Sequence, residues 1–325
     1  MRTLVTGATG KVGYALAAAL VERGHEVRAL VRDPARATLP ESVQPLAGDV
    51  TAPASVERAV EGCELVFNAM GLPEQWLADE ARFELVNARG TQNVVRAAAR
   101  AGARRVVHTS TIDVFDADGE GRLEETRLAR APKGTAYERS KQHAEELALA
   151  CAAADGVEVV LVNPAAVYGP GPSGSVSLDK QLFAPIARGR RLEVPVLPPG
   201  GLGVVYSRGV AEGQLLAAER GKPGERYILC DRHVSFRELA QAVVDAAGRG
   251  RVPPTLPVPL ARAMAGAGEL VARVIHRPPL LARGQLYFLL WNAAPSSDKA
   301  QRELGWRPTP LDSGVRETLA AMDLV

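Results

Sequence analysis

Short apolar runs alternate with amphipathic, Ala/Leu-rich stretches through the first half of the chain. Thr3–Val5, His25–Val31, Val43–Ala47, Leu65–Ala69, Arg105–Thr109 and Val157–Val162 read as strands. Val12–Arg23, Ser55–Val60, Phe83–Ala101 and Tyr137–Ala153 fall between them and read as helices. This alternation predicts an α/β chain with a parallel, doubly wound sheet.

The texture changes after Asn163-Pro164. Tyr168-Gly-Pro-Gly-Pro-Ser-Gly174 reads as a loop, and Pro195–Gly203 is rich in proline and glycine. Gln181–Arg188 and Val210–Glu219 read as helices, and Arg226–Cys230 as a late strand. Ser235–Ala247 is amphipathic, with Ser235 as N-cap and Glu238 three residues later. Apolar helices are expected at Leu260–Ile275 and Leu281–Trp291. Residues 1–165, with later sheet elements near 204–250, are therefore expected to form one unit. Residues 166–203 and 251–325 are expected to form a smaller, mostly helical cap.

Composition narrows the class. The chain has 325 residues and is 46% hydrophobic, enough for a large buried core. A net charge of +2, with scattered arginines, gives no electrostatic case for nucleic acid or a membrane surface. Cys63, Cys151 and Cys230 are odd in number and far apart, which argues against a disulfide framework or a metal site and for a reducing cytoplasm. The N-terminus runs straight into a strand with no signal peptide, and no apolar run reaches the roughly 20 residues that span a bilayer.

Two patterns carry chemistry. The first is Thr6-Gly-Ala-Thr-Gly-Lys-Val-Gly13, a glycine turn between a strand and a helix. Gly7 permits the tight turn, Gly10 admits a pyrophosphate, and Gly13 lets the helix lie close to the sheet. Thr9, Lys11 and Val12 complete an anion site at the helix N-terminus, the mark of a dinucleotide. Arg32 follows the second strand, where a guanidinium can pair with a 2′-phosphate, assisted by Arg36. Asp33 is the competing ribose ligand, but Pro34 tends to turn it away. NADP is thus favoured, with NAD still open. Asp49, followed by Val50, either accepts from the adenine amino group or makes a plain strand-end turn. Asn68, Ala69 and Met70 end the fourth strand at the edge where open sheets bind ligands.

The second pattern is Tyr137-Glu-Arg-Ser-Lys141, which places a phenol and an ammonium on one helical face. The ammonium is expected to lower the phenol pKa and fit it for proton exchange with a carbonyl or hydroxyl. Val107-His-Thr-Ser-Thr111 ends the fifth strand in a hydroxyl cluster.

Together with Asn87-Ala-Arg-Gly-Thr91, Asn163-Pro-Ala-Ala-Val-Tyr-Gly-Pro170 and the tail Ser297-Asp-Lys…Glu303-Leu-Gly-Trp-Arg-Pro308, these pieces resemble the extended short-chain dehydrogenase/reductase family over nearly the whole chain. Val27–Asp33 and Gly224–Leu229 look most like its dihydroflavonol-4-reductase-like branch. The resemblance implies a Rossmann fold and catalysis by Thr111, Tyr137 and Lys141. Tyr137 would be the general acid in reduction and the base in oxidation, and Lys141 would hold the nicotinamide ribose. Thr111 would bond the substrate oxygen, with Thr109 and Ser110 toward the cofactor; successive strand residues point opposite ways, so Ser110 is the alternative. Asn87, Pro164 and Val167 match cofactor-side positions. A homodimer paired through the Phe83–Ala101 and Tyr137–Ala153 helices is implied by resemblance alone.

Two residues depart from the pattern. Gly209 stands where this branch usually has an aspartate that caps a helix, and its loss is expected to cost stability. Asn68 stands where many relatives have a small or apolar residue. His108 reads as a buried histidine, His143 as structural or solvated, and Glu124 and Glu125 as loop surface. Trp76, Phe83, Phe115, Tyr168 and Phe183, with Met70 and Leu72, are expected to ring the cofactor mouth and to favour a lipophilic small-molecule substrate. Leu286–Trp291 and Leu260–Ile275 read as cap core or a subunit contact. Arg188, Arg190 and Arg191 keep a sugar-nucleotide epimerase or dehydratase as the alternative, and a non-catalytic NADP-binding regulator is the reading from another class.

Overall fold

The computed structural model describes residues 1–74, 77–116, 121–172, 177–275, 290 and 293–325, with backbone alone for 269–275. The chain begins β1 (Arg2–Thr6), α1 (Lys11–Glu22), β2 (Glu26–Val31), β3 (Gln44–Ala47), α2 (Pro53–Val60) and β4 (Leu65–Asn68). A helical stretch follows as α3 (Ala81–Phe83), a π turn (Glu84–Arg89) and α4 (Gly90–Arg100). Then come β5 (Arg105–Thr109), β6 (Gly121–Leu123), α5 (Ala136–Asp155), β7 (Glu158–Pro164) and β8 (Ala166–Tyr168). A second π turn (Asp179–Phe183), α6 (Ala184–Ala187), β9 (Gly201–Tyr206), α7 (Ser207–Arg220), β10 (Arg226–Leu229), β11 (Arg232–Ser235) and α8 (Phe236–Ala247) continue the chain. It ends with α9 (Val258–Ile275), β12 (Ala293–Pro295), α10 (Asp298–Leu304) and α11 (Leu311–Ala320).

Seven strands pair in parallel in the order β10-β7-β5-β4-β1-β2-β3. Successive strand residues face opposite ways, and both faces are apolar. Val5, Phe67, Val107, Val160 and Val162 pack against α1 and α7 through Leu16, Leu20, Val210 and Leu215. Leu4, Val66, Val106, Val159 and Leu161 pack on the other face against Val56 of α2, Val94 and Val95 of α4, and Ala148 of α5. The strand order reverses between β1 and β4, the crevice where open α/β sheets take their ligands.

The Pro/Gly-rich segment Pro195–Gly203 runs into a strand, β9. β9 pairs with β8 and β11 in a separate three-stranded sheet. Its glycines serve close approach: a Cβ on Gly201 would lie 2.6 Å from the Val234 carbonyl oxygen, and one on Gly203 would lie 2.9 Å from Pro295 Cγ. A third core forms around this sheet from Tyr168, Phe183, Leu202, Tyr206, Phe236, Leu239 and Val315. The C-terminal helical region therefore rests on strands as well. β6 and β12 pair in parallel, a contact that sequence pattern did not indicate. The expected Leu281–Trp291 helix, Leu290 apart, and Trp76 lie outside the described residues. Among the described residues, no helix is long and apolar enough to cross a membrane, and no group of three or more His, Cys, Asp or Glu could hold a metal ion.

Candidate active site

The glycine turn sits at the β1/β4 crevice. Gly7 takes φ +74° and its carbonyl accepts from Gly10 N at 2.9 Å, which closes the turn. A Cβ on Gly7 would lie 2.6 Å from the Ala69 carbonyl oxygen, and one on Gly13 would lie 2.3 Å from the Gly7 carbonyl oxygen. Both positions therefore need glycine so that turn, helix and β4 can touch. Gly10 differs, since its Cβ would meet only the Gly7 oxygen, at 3.4 Å. Thr9 and Gly10 are exposed, and α1 has no side-chain cap, so its first N–H groups lie open beside Val12. The Lys11 side chain is committed elsewhere: its ammonium donates to the Gly169 carbonyl and pairs with the Asp179 carboxylate.

At the end of β2, Arg32 is exposed and no hydrogen bond or ion pair ties it to a described residue. Asp33 turns back on its own loop, accepting from Ala35 N at 3.1 Å and pairing with Arg36 at 3.5 Å. Asp49 Oδ1 accepts from Thr51 N at 2.8 Å and from Thr51 Oγ1 at 2.7 Å, the geometry of a strand-end turn. Val50 packs against Gly90, and its carbonyl accepts from Asn93 at 2.8 Å.

Asn68 faces inward. It accepts from Thr6 Oγ1 at 2.7 Å and donates to Thr91 Oγ1 and to His108 Nδ1, both at 3.0 Å. This fills its amide within the core and leaves only backbone for a cofactor. His108 is fully buried; burial first, then the Lys141 charge, holds it well below the ordinary imidazole range and keeps it neutral. The reading of a buried, sheet-facing histidine holds. Asn87, on the π turn, accepts from Leu72 N at 2.7 Å and donates to Ser140 Oγ at 2.9 Å, joining the loop after β4 to α5.

α5 is set by a capping box: Glu138 N donates to Thr135 Oγ1 at 3.1 Å, and Thr135 N donates to Glu138 Oε2 at 2.8 Å. The Thr135-x-x-Glu138 spacing is legible in the sequence and fixes Tyr137 in the first helical turn. Phe83 meets the Tyr137 ring edge-on at 6.2 Å. One turn on, Lys141 Nζ donates to the Thr109 carbonyl at 2.8 Å. Thr109 Oγ1 donates to Gln214 at 2.9 Å, and Ser110 is buried with no partner for its hydroxyl among the described residues.

Thr111 caps a short 3-10 turn, Ile112–Val114. Its hydroxyl donates to Asp113 Oδ2 at 3.0 Å and accepts from Asp113 N at 3.2 Å. Sequence reasoning passed over Asp113, although Thr-x-Asp at a strand end is a turn signature. Beneath the turn, Asn163 donates to the Thr111 carbonyl at 3.0 Å and to Glu145 at 2.8 Å, and Arg226 pairs with Glu145 at 2.6 Å. Pro164 ends β7, and Val167 is half-buried in β8.

The electrostatics correct one expectation. Burial, then the Asp113 charge, pushes the Tyr137 phenol well above its ordinary value, and a hydrogen bond with the Thr111 side chain opposes the rise. Lys141, instead of depressing the phenol, is itself lowered to about 8 by burial, against the pull of Glu145 and Asp113. Sequence spacing carries the pair but not the burial that governs it.

The aromatic ring expected around the mouth is corrected as well. Phe115 lies in the core beside α1 and α7, and the Tyr168 and Phe183 rings meet at a 52° tilt, 5.8 Å apart, in the third core. Phe83 alone of the four described rings abuts Tyr137, so these residues do not define an apolar substrate surface. Glu125 accepts from Ile228 N at 2.8 Å as a structural tie, and His143 pairs with Glu84. At Gly209, Asp231 stands in the vicinity of the missing aspartate: it accepts from Tyr206 N at 2.7 Å and Thr309 N at 2.8 Å. Arg188, Arg190 and Arg191 are exposed after α6.

Comparison with known proteins places this arrangement. The model of the NAD dependent epimerase/dehydratase family matches residues 3–230. A Stigmatella aurantiaca ketoreductase, named for 4-hydroxy-2-methyl-3-oxo-4-farnesyl-3,4-dihydroquinoline-1-oxide, is 33% identical, covering 94% of this chain and 92% of its own. A putative dihydroflavonol 4-reductase of Synechocystis is 31% identical, covering 97% and 92%. The crystal structure of UDP-glucose 4-epimerase from Thermotoga maritima superposes with a TM-score of 0.81 over 99% of each chain at 19% identity, a likeness of fold. The chain belongs to the NAD dependent epimerase/dehydratase family and is an NAD(P)-dependent short-chain dehydrogenase/reductase of the extended type, on its dihydroflavonol-4-reductase-like branch.

Proposed function

We propose that the enzyme interconverts a lipophilic ketone and its secondary alcohol with NADP, using Tyr137 as proton donor and acceptor. The observation that carries this reading is the meeting of Thr111, Tyr137 and Lys141 at the C-terminal end of β5, on the same sheet edge as the glycine turn. The fit to a dinucleotide rests on Gly10: its missing Cβ leaves open space in front of the uncapped N–H groups of α1. Gly7, Thr9, Gly10, Val12 and Gly13 would hold the pyrophosphate, Arg32 the 2′-phosphate, and Lys141 the nicotinamide ribose. Arg32 supports NADP because it is exposed and unpaired among the described residues while Asp33 is engaged in its own turn. The bound nicotinamide would supply or accept the hydride.

The chain's own groups do the rest. A phenol held above its ordinary pKa enters the cycle protonated, which suits the acid role in reduction. Tyr137 then gives its proton to the oxygen of the reacting carbonyl. Thr111 donates to that same oxygen and steadies its developing charge. The ketone class draws support from the ketoreductase relative and its farnesyl-bearing compound. Residues 1–165 with the later strands would bind the nucleotide, and 166–203 with 251–325 would shape the substrate space. A homodimer paired through the helical stretch around α4 and through α5 belongs to the same reading, and light scattering tests it.

Steady-state kinetics of Tyr137→Phe with a panel of ketones tests the function. Turnover should fall by roughly 10²–10⁴-fold with cofactor affinity retained. Undiminished activity removes Tyr137 from the chemistry. A cofactor that copurifies and undergoes no net turnover would favour the sugar-nucleotide epimerase or dehydratase reading.

A further inference from the structure

Resting on the role just given to Thr111, we propose that Asp113 is a positioning residue that sets the direction of the Thr111 hydroxyl. As a carboxylate, Asp113 takes the hydroxyl hydrogen. As a carboxylic acid, it donates its own hydrogen to the Thr111 oxygen and frees Thr111 to donate to the reacting carbonyl.

A threonine hydroxyl has one hydrogen and two lone pairs. The hydrogen of Thr111 is given to Asp113 Oδ2 at 3.0 Å, and one lone pair takes Asp113 N at 3.2 Å. In that state Thr111 has nothing left to donate to a substrate oxygen. When Asp113 gains one proton from solvent, the same Oδ2–Oγ1 contact reverses. Thr111 then accepts from both the amide and the acid of Asp113, the Tyr137 phenol gives up the lone pair it shared on Thr111 and is free to turn to the substrate oxygen, and the Thr111 hydrogen turns outward. The proton on Asp113 is not consumed in the reaction, so the cycle balances without it.

Three further observations make the neutral acid accessible. Asp113 is 7% exposed. Its Oδ1 is buried with no hydrogen-bond partner among the described residues, so ionisation leaves half the charge unsatisfied. The charged groups facing it pull both ways. Glu138 on α5 repels the carboxylate, while Lys141 on α5 and Lys133 on the loop before it attract it, and the Thr111 hydroxyl bonds it. Tyr137, also on α5, feels the Asp113 charge as a rise in its own pKa. Burial and Glu138 prevail and push the carboxyl up to about 6.

Two experiments test the proposal on the full-length enzyme. The first follows kcat/KM against pH in both directions, with NADPH and 4-phenylbutan-2-one, then with NADP and 4-phenylbutan-2-ol. A limb governed by Tyr137 inverts between directions, because the phenol is needed in one and the phenolate in the other. A limb governed by Asp113 falls with rising pH near 6 in both directions. Asp113→Asn should remove that shared limb and keep the Tyr137 limb; a shared limb that persists overturns the proposal. The second experiment needs no turnover. The Asp113 carboxyl is titrated by carbon-13 NMR, assigned by its loss in Asp113→Asn or its move to the glutamate region in Asp113→Glu. In Thr111→Val the carboxylate loses a donor, so its midpoint should rise by about one pH unit. An unmoved midpoint refutes the proposal whatever the substrate. A midpoint that moves in an enzyme inactive on these ketones upholds the Thr111–Asp113 coupling and counts against the ketone reading.

Discussion

Lys11 and Asp179 join the first turn of α1 to the π turn before α6, across 168 residues of sequence. Their side chains are 11% and 2% exposed, so neither charge is screened well. Replacing Lys11 with Met leaves Asp179 with the Gly169 amide and the Ser177 hydroxyl but no cation among the described residues. Two unit charges about 4 Å apart at an effective dielectric of about 20 interact by about 4 kcal/mol. That agrees with the roughly 3–5 kcal/mol that removal of one partner of a buried pair costs. For a chain of this length, roughly 2 °C per kcal/mol applies, so Lys11→Met should lower Tm by about 6–10 °C. Asp179→Asn removes the other charge, and the double variant leaves no isolated ion, so it should recover at least half of the loss. Scanning calorimetry on the four proteins measures the coupling. Losses that simply add in the double variant would refute a paired, desolvated contact.

Other perturbations separate local causes. Gly13→Ala forces a Cβ to 2.3 Å from the Gly7 carbonyl oxygen and should cost about 1–3 kcal/mol in urea unfolding, whereas Gly10→Ala should hold stability within about 0.5 kcal/mol yet weaken cofactor binding by calorimetry. Arg32→Ala should weaken NADP far more than NAD by the same measurement; equal losses would remove Arg32 from the 2′-phosphate. Asp113 carries a stability signature as well. Its carboxyl is raised in the folded protein, so its favourable contribution is complete below the unfolded carboxylate pKa near 4 and is lost as pH rises through about 6. Asp113→Asn should therefore gain on the wild type by up to about 3 kcal/mol between about pH 4 and 7, and a gap that stays constant would contradict the burial argument.

The central sheet was legible because its early strands, the exposed edge strand β3 apart, are short apolar runs buried on both faces, and turns with polar or glycine residues mark their ends. Gly201-Leu-Gly203 carried no such signal. There glycine serves a strand that other backbone and Cys230 approach closely, and composition alone does not distinguish that from a loop. Spacing singles out Tyr137 and Lys141, and resemblance singles out Thr111, but neither speaks to burial, so the sign of the phenol shift was missed. Asn68 and Asn87 were read toward the cofactor, yet their amides are spent on tying β1, β4, β5 and α5 together. A one-dimensional pattern shows that an amide stands at a sheet edge; it does not show which neighbours reach it first. Asp113 escaped for the opposite reason, since a short turn after a strand looks like ordinary surface until packing encloses it.

The π turn at Glu84–Arg89 has a consequence for the length of this chain. A π turn amounts to one residue inserted into an α-helix. Deleting any single residue there would let the segment relax to α and rotate everything before it by about 100° relative to α4. Phe83 would leave the face of Tyr137 while Thr91 and Val94 stayed in place. Sequences that lack this one position should therefore carry a different wall beside the tyrosine on an unchanged sheet.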